Sequence, residues 1–290
     1  MKIKQTLLIL FVPFFLMGCN GSKLSPIGPK SATSYDENNK MTRKETYSYN
    51  EKGLPNESFY EDFKEDGSVE YKGKTVNTFF NDKLAISDYY SYDFSSKTYV
   101  YSGSDFSSYD SNGNEKTFLR TTLDEGIETP WIYSTYFYNN RNQLIHEENF
   151  SYKNQAYVLD YEIDYHYNDK DQLYEEFRHM VSFGDFLDKV TYTYNENGTL
   201  KESKEFDVYK DDHGIEVEDF VLGVRYTYDN SKNVSEITTY GLDDGGEEYN
   251  KIKETFEYNG NNQATKYSYY HLAAEDSKEL VLDYYIVYEY

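Results

Sequence analysis

The sequence predicts an all-β fold: an antiparallel meander of about eight two-stranded repeats, period about 30 residues, forming an open twisted sheet or one partly curled on its tyrosine face. Three observations predict it. Tyr supplies 35 of the 290 residues, beside 18 Phe and one Trp, and Tyr suits half-buried pleated surfaces better than helices or dry cores. An Asn or Asp directly after an aromatic residue recurs at Asn50, Asn81, Asp110, Asn139, Asn168, Asn195, Asp229 and Asn259, at spacings of 27 to 34 residues. Upstream of these markers aromatic and polar residues alternate, which is the period of a strand with one covered face.

Taken in chain order, residues 1–18 carry Lys2 and Lys4 ahead of the apolar run Leu7 to Met17. The run is too short to span a bilayer as a mature helix and reads as an export signal. It ends Leu16-Met17-Gly18-Cys19, which resembles the lipobox of bacterial lipoproteins. The resemblance implies that Cys19, the only cysteine, becomes the lipidated first residue of the mature chain, carries palmitate-type acylation and anchors it to a membrane. Removing the signal with its two lysines takes the formal charge from −23 to −25. Residues 19–40 are rich in Gly, Ser and Pro without an apolar period and read as a flexible tether, which leaves residues 41–290 as a tyrosine-rich β-repeat domain.

Within each repeat the aromatic strand comes first. In the stretch from Tyr161 to Asn168, Tyr161, Ile163, Tyr165 and Tyr167 share one face and Glu162, Asp164 and His166 the other. Leu222, Val224, Tyr226 and Tyr228 repeat this against Gly223, Arg225 and Thr227. After the marker, Asn50-Glu51-Lys52-Gly53, Asp110-Ser111-Asn112-Gly113 and Asn195-Glu196-Asn197-Gly198 read as hairpin turns, in which the first side chain bonds its own backbone and Gly takes positive φ. Asn142, Asp171 and Asn262 hold the same offset and are the residue types that best tolerate it after Gly. Leu144, Leu173, Leu200 and Val234 start the return strands, and acidic loops of variable length, such as Glu65-Asp66-Gly67 and Asp243 to Gly246, lead to the next repeat. Tyr288-Glu289-Tyr290 begins a ninth aromatic strand and is predicted to be an end strand.

The turns Tyr194-Asn195-Glu196-Asn197-Gly198-Thr199-Leu200 and Tyr109-Asp110-Ser111-Asn112-Gly113 resemble the YD repeats of the RHS family, over nearly everything from residue 41 onward. RHS repeats are shorter and build hollow shells around a toxin, and no toxin segment is visible here. The chain is more similar to YD-repeat-like bacterial surface lipoproteins, which implies a place at the cell envelope.

Composition excludes several function classes. With 52 Asp and Glu against 29 Lys and Arg, the chain repels a phosphate backbone, so nucleic acid is not an expected partner. One Cys and the dispersed His146, His166, His179, His213 and His271 supply no zinc framework, and no metal or cofactor is expected. The loop Asp110 to Glu115 alternates oxygen-bearing side chains as calcium prefers, but it lacks the length and closing Glu of a calcium loop and reads as a turn. The pairs Glu147-Glu148, Glu175-Glu176, Asp211-Asp212 and Asp243-Asp244 would point to opposite faces of a strand and make poor acid/base partners. Neither a nucleophile elbow nor a phosphate loop is present, so an enzyme is not expected and no catalytic residue is assigned.

The expected function is therefore that of a lipid-anchored, non-catalytic binding or scaffold protein of the bacterial envelope, at the outer membrane or cell surface in preference to the inner membrane. Its expected partners are the membrane itself, through the anchor, and an envelope protein or a neutral glycan. The alternative is a glycan-binding protein or glycan-active hydrolase that uses the Tyr-rich face. Its candidate ligand contacts are Tyr136, Tyr138, Tyr165, Tyr167, Tyr192, Tyr194, Tyr226 and Tyr228, rings that core packing would use equally well.

Overall fold

The computed structural model describes residues 28–181, 186–210, 213–243, 245–274 and 277–290; the signal segment, Cys19, residues 20–27, Asp211, Asp212 and Asp244 lie outside the described residues. Among the described residues, eighteen antiparallel strands follow one another in chain order, from β1 (Ser31–Asp36) and β2 (Met41–Tyr49) to β17 (Ala264–Leu272) and β18 (Leu280–Glu289). Every strand pairs with its sequence neighbours, and β1 pairs with both β2 and β18. The sheet is thus a closed up-and-down barrel, not the open or partly curled sheet of eight two-stranded repeats that the sequence predicts.

The difference lies at the chain ends. The eight markers account for the sixteen strands β2 to β17, and a ninth hairpin is cut in two. Its aromatic strand is β18, and its return strand is β1 at the opposite end of the chain. Residues 31–36 fall in the stretch read from composition as a tether, yet Ser31 pairs with Glu289 on one side and Thr46 on the other. Tyr288 likewise pairs with Ala32 and is not at an edge. An open meander leaves two rows of unpaired N–H and C=O groups, and joining the two halves of the cut hairpin removes both.

Seven of the eight marker turns share one geometry. In the first, the Gly53 N–H donates to the Asn50 carbonyl at 2.9 Å, the Asn50 N–H to the Leu54 carbonyl at 2.9 Å, and Gly53 has φ of 77°. The left-handed position is Gly198 in one repeat and Asn142, Asp171 or Asn262 in others, as the sequence predicts, but it is Lys232 (φ 68°) in the seventh. The marker's side chain braces the loop, since Asn50 Oδ1 accepts from the N–H groups of Lys52 and Leu54, each at 3.0 Å. The exception is Asn81, which with Asp82 forms a two-residue turn with both φ positive (49° and 62°), the mirror-image type that suits a tight hairpin.

Closure gives the sheet an inside and an outside. In β2, Thr42, Lys44, Thr46 and Ser48 are exposed, whereas Arg43, Glu45, Tyr47 and Tyr49 are buried or half-buried. All eighteen strands lie in this one sheet, so only inward curvature brings neighbours over a face, and the covered tyrosine face is the inner one. Solid packing is reached in barrels of roughly eight strands. This wider ring is lined and not filled: among the described residues the buried hydrophobic side chains are Ala32, Ile163, Val190, Val208, Tyr240 and Phe256, and of these Tyr240 alone is fully buried.

Deleting residues 28–36 removes β1 and re-creates two sheet edges. The expected outcome is a large fall in the circular-dichroism melting temperature together with self-association on size exclusion. A monomer with an unchanged melt would show that the ring does not depend on β1.

Candidate functional site

The inner face carries two rings of tyrosine, each with its own hydrogen-bond scheme. In seven of the nine aromatic strands the closing tyrosine reaches sideways to the preceding hairpin and donates its hydroxyl to a carbonyl at or beside the start of that hairpin's return strand. Tyr167 of β10 (Ala156–Tyr167) donates to Leu144 O at 2.9 Å, Tyr194 of β12 (Phe186–Tyr194) to Leu173 O at 2.6 Å, and Tyr228 of β14 (Glu216–Tyr228) to Leu200 O at 2.7 Å. Tyr109 and Tyr258 do the same to Leu84 O and Val234 O. The pattern runs through the cut hairpin too, where Tyr290 donates to Ala264 O at 3.0 Å and Tyr49 to Pro29 O at 2.8 Å.

One step deeper, tyrosine hydroxyls donate to carboxylates. Tyr165 meets Glu147 at 3.0 Å, Tyr192 meets Glu176 at 2.8 Å and Tyr267 meets Glu254 at 2.8 Å. Arginines balance part of this inward charge. Arg120 clamps Asp105 with two hydrogen bonds of 2.7 Å, a third 2.7 Å bond comes to Asp105 from Tyr89, and Arg178 meets the buried Glu176 at 2.8 Å. Burial drives the phenol pKa of Tyr165 and Tyr192 upward, and the adjacent glutamates push in the same direction. Burial takes Tyr49, Tyr258 and Tyr288 up to about 12.

All eight candidate tyrosines therefore stand on the inner face. Tyr167, Tyr194 and Tyr228 are tied to main-chain carbonyls, and Tyr165 and Tyr192 to glutamates. Tyr136, Tyr138 and Tyr226 occupy the same rows, half-buried, their phenols pushed up by burial. These rows cross-link hairpins.

The outer face holds groups that the sequence keeps apart. Across β9 (Leu144–Lys153), β10 and β11 (Leu173–Met180), His146 faces Asp164 at 2.7 Å, His166 faces Glu175 at 3.4 Å and His179 faces Glu162 at 3.2 Å. Among the described residues no group of three or more His, Cys, Asp or Glu converges as a metal site. A shallow depression of about 400 Å³ lies beside this patch at the turn end, lined by Arg141, Gln143, Ile145, His166 and Tyr174 among others.

A second outer feature crosses β3 (Pro55–Phe63), β4 (Val69–Phe80), β5 (Lys83–Asp93) and β6 (Thr98–Tyr109). The rings of Phe94, Tyr92, Tyr99 and Phe59 follow one another at centroid separations of 5.1, 5.1 and 6.0 Å. Lys72 reaches over Tyr92 at 5.8 Å and Lys74 over Tyr99 at 5.5 Å. Sequence reasoning misses this ribbon because attention falls on the repeated tyrosines. The signal was available in Tyr89-Tyr90-Ser91-Tyr92, where two neighbouring aromatics must occupy opposite faces.

No protein-family model matches the chain, and no curated protein matches it. Among solved structures it is similar to a porin-like protein from Bacteroides uniformis ATCC 8492, with a TM-score of 0.42 and 9% identity over 92% of this chain and 98% of that one. It is also similar to the TcdB2-TccC3-TEV structure, with a TM-score of 0.33 and 12% identity over 89% of this chain and 16% of that one.

Two outcomes follow from the inner rows. Tyr194→Phe keeps the ring but leaves the Leu173 carbonyl without its donor, and should lower stability by roughly 1 kcal/mol in a urea melt. The second outcome concerns alkaline pH. An unfolded tyrosine ionises near pH 10 (roughly), whereas Tyr49, Tyr258 and Tyr288 hold their protons to about 12. Their contribution to stability is thus complete below about pH 10 and lost as pH rises through about 12. Phenolate absorbance and circular dichroism followed together should show a late ionisation step that coincides with unfolding.

Proposed function

We propose that this protein is a lipid-anchored, non-catalytic binding or scaffold protein of the bacterial envelope, in which a rigid barrel standing in water presents the loops of one end. The polarity of the barrel's two ends carries this reading. Residues 28–30 enter at the marker-turn end, where Lys30 N donates to Glu289 O and Tyr49 grips Pro29, and β18 ends there too. The nine residue-to-residue steps from Cys19 to Gly28 reach at most roughly 30 Å, so an anchor at Cys19 keeps the turn end near the lipid and leaves the variable loops facing outward.

The composition of the outer face supports a barrel that stands beside the bilayer and does not cross it. Lys44, Lys74, Asp164, Lys189, Arg225 and Lys253 face outward within their strands. Each Lys or Arg on a lipid-facing surface at mid-depth costs roughly 2–4 kcal/mol, and spanning barrels carry an apolar band there instead. The non-catalytic part of the reading is supported by inner groups such as Tyr165 with Glu147, Tyr192 with Glu176 and Tyr194 with the Leu173 carbonyl, which engage one another or the main chain.

Cys19→Ser should release a folded barrel from the membrane fraction. In the anchored protein, a thiol introduced by Glu125→Cys at the loop end should react with a bulky maleimide several-fold faster than one introduced by Asn230→Cys at the turn end. Membrane retention of Cys19→Ser would overturn the anchor, and equal labelling would overturn the orientation.

A further inference from the structure

We propose that the rim carrying the marker turns rests in the lipid headgroup layer, with Phe80, Phe137, Ile145 and Tyr174 as the side chains that enter it. The proposal rests on the anchored-barrel reading above and adds to the anchor a second attachment, made by the barrel itself.

The second hairpin supplies the most exposed of these groups. In the seven other marker repeats the residue before the marker is a tyrosine on the inner face. Here Asn81 and Asp82 form the two-residue turn, so Phe79 pairs with Leu84 and Phe80 with Lys83. Phe80 shares the outward parity of Lys74 and Thr78, and its ring is 72% exposed. Phe137 of β8 (Ile127–Tyr138) also points outward, opposite His146. Ile145 and Tyr174 are the extra residues where the ladder slips beside Tyr138 and Tyr167, and they line the outer depression with His166. These three side chains are 38–45% exposed.

Three observations name the lipid as what covers them. The first is depth. Each of the four lies within two residues of a marker turn, hence within roughly 7 Å of the rim along its strand, which matches the shallow burial of side chains at a membrane interface. The second is the tether, which spans at most roughly 30 Å from Cys19 and enters at this same rim beside Tyr49. The third is the company these residues keep. Lys83, Lys116 and Lys201 are exposed at the first or second position of their return strands, where a long stem can lie along apolar surface and raise its charge to a phosphate. Ile127 and Ile215 are similarly exposed at the opposite rim, but Glu128 and Glu216 follow them directly and the tether holds that rim away. The four side chains are also strung along an arc from β4 to β11 and not gathered in one groove, which suits a plane of lipid better than a compact partner surface.

The test uses the full lipidated protein in phosphatidylcholine vesicles. Its one tryptophan, Trp131, stands toward the loop end of β8 and is the distant reference. In a Trp131→Phe background, Phe80→Trp and Phe137→Trp each place a single reporter at the turn rim. Lipid brominated on the acyl chain close to the headgroup should quench both by about twofold or more and leave Trp131 of the unaltered protein bright. A circular-dichroism melt checks that both variants stay folded, and flotation with the vesicles reads the anchor separately. A protein that floats with either rim reporter unquenched, or with Trp131 quenched equally, overturns this proposal and leaves the anchored barrel standing. Rim reporters shielded from aqueous iodide yet indifferent to brominated lipid are covered by protein, which overturns it as well. A protein that does not float overturns the anchor and this proposal together.

Discussion

Closure of the hydrogen-bond ladder is the constraint on which the rest of this structure depends. Neighbouring hairpins are joined by the same backbone bonds as the strands within one hairpin, so the array has no natural stopping point except exposed edges. The chain resolves this by dividing one repeat between its ends, with β18 supplying the aromatic strand and β1 its return. Once the ladder is a ring, one face becomes an interior and the two rims become chemically different. Residues 29 and 30 are also held at one rim.

Tyrosine is the residue that a ring of this width calls for. Inward side chains cannot meet across the centre, so they must cover one another sideways, and a long planar ring does this better than a branched aliphatic. The hydroxyl then meets a second need. At the start of a return strand the turn and the ladder irregularity beside it leave a carbonyl that the next hairpin can reach, and in seven of the nine aromatic strands the closing tyrosine fills that place. Phenylalanine in the same position would cover equal area and leave that carbonyl without the bond. The glutamates of the deeper ring have a corresponding role, because a buried carboxylate is tolerated only where donors surround it, as Tyr192 and Arg178 surround Glu176.

The repeat, the strand faces and the marker turns were legible in the sequence because each is local: alternation over eight residues, and a turn set by Asn or Asp with Gly three places on. Closure was not legible, because Ser31 to Asp36 carries no aromatic repeat and its partners lie at Glu289 and Thr46. A short polar strand between two others is specified by their edges more than by its own composition. The repeat spacing places Asn81 with the other markers, but Asp82 follows it directly and the pair forms a different turn. The inner position of the eight candidate tyrosines follows from their shared parity, but their bonding partners do not, since each partner sits in the previous hairpin. The outer ribbon and the histidine–carboxylate pairs share that character. They are assembled by register across strands, which one-dimensional spacing does not encode.

The two rims differ in how their turns are held, and this bears on where function can vary. At the marker end, four turns are braced by the next: Asn112 Nδ2 donates to Asn142 Oδ1, Gln143 Nε2 to Asp171 Oδ1 and Asn233 Nδ2 to Asn262 Oδ1, while Lys52 and Arg141 pair with Asp82 and Asp171. A change of length in one of these turns breaks contacts with its neighbour. At the other end, loops close on themselves, with Asp36, Asp66, Asp93 and Asp243 each accepting an N–H from two residues further on. The pair Lys278–Asp243 is a contact between two of these loops. A self-capped loop can lengthen or change composition without disturbing the adjacent hairpin, because its backbone groups are satisfied from within. Rigidity is thus concentrated at the rim nearest the proposed anchor. Tolerance of change is concentrated at the rim that would face outward, beside the aromatic ribbon.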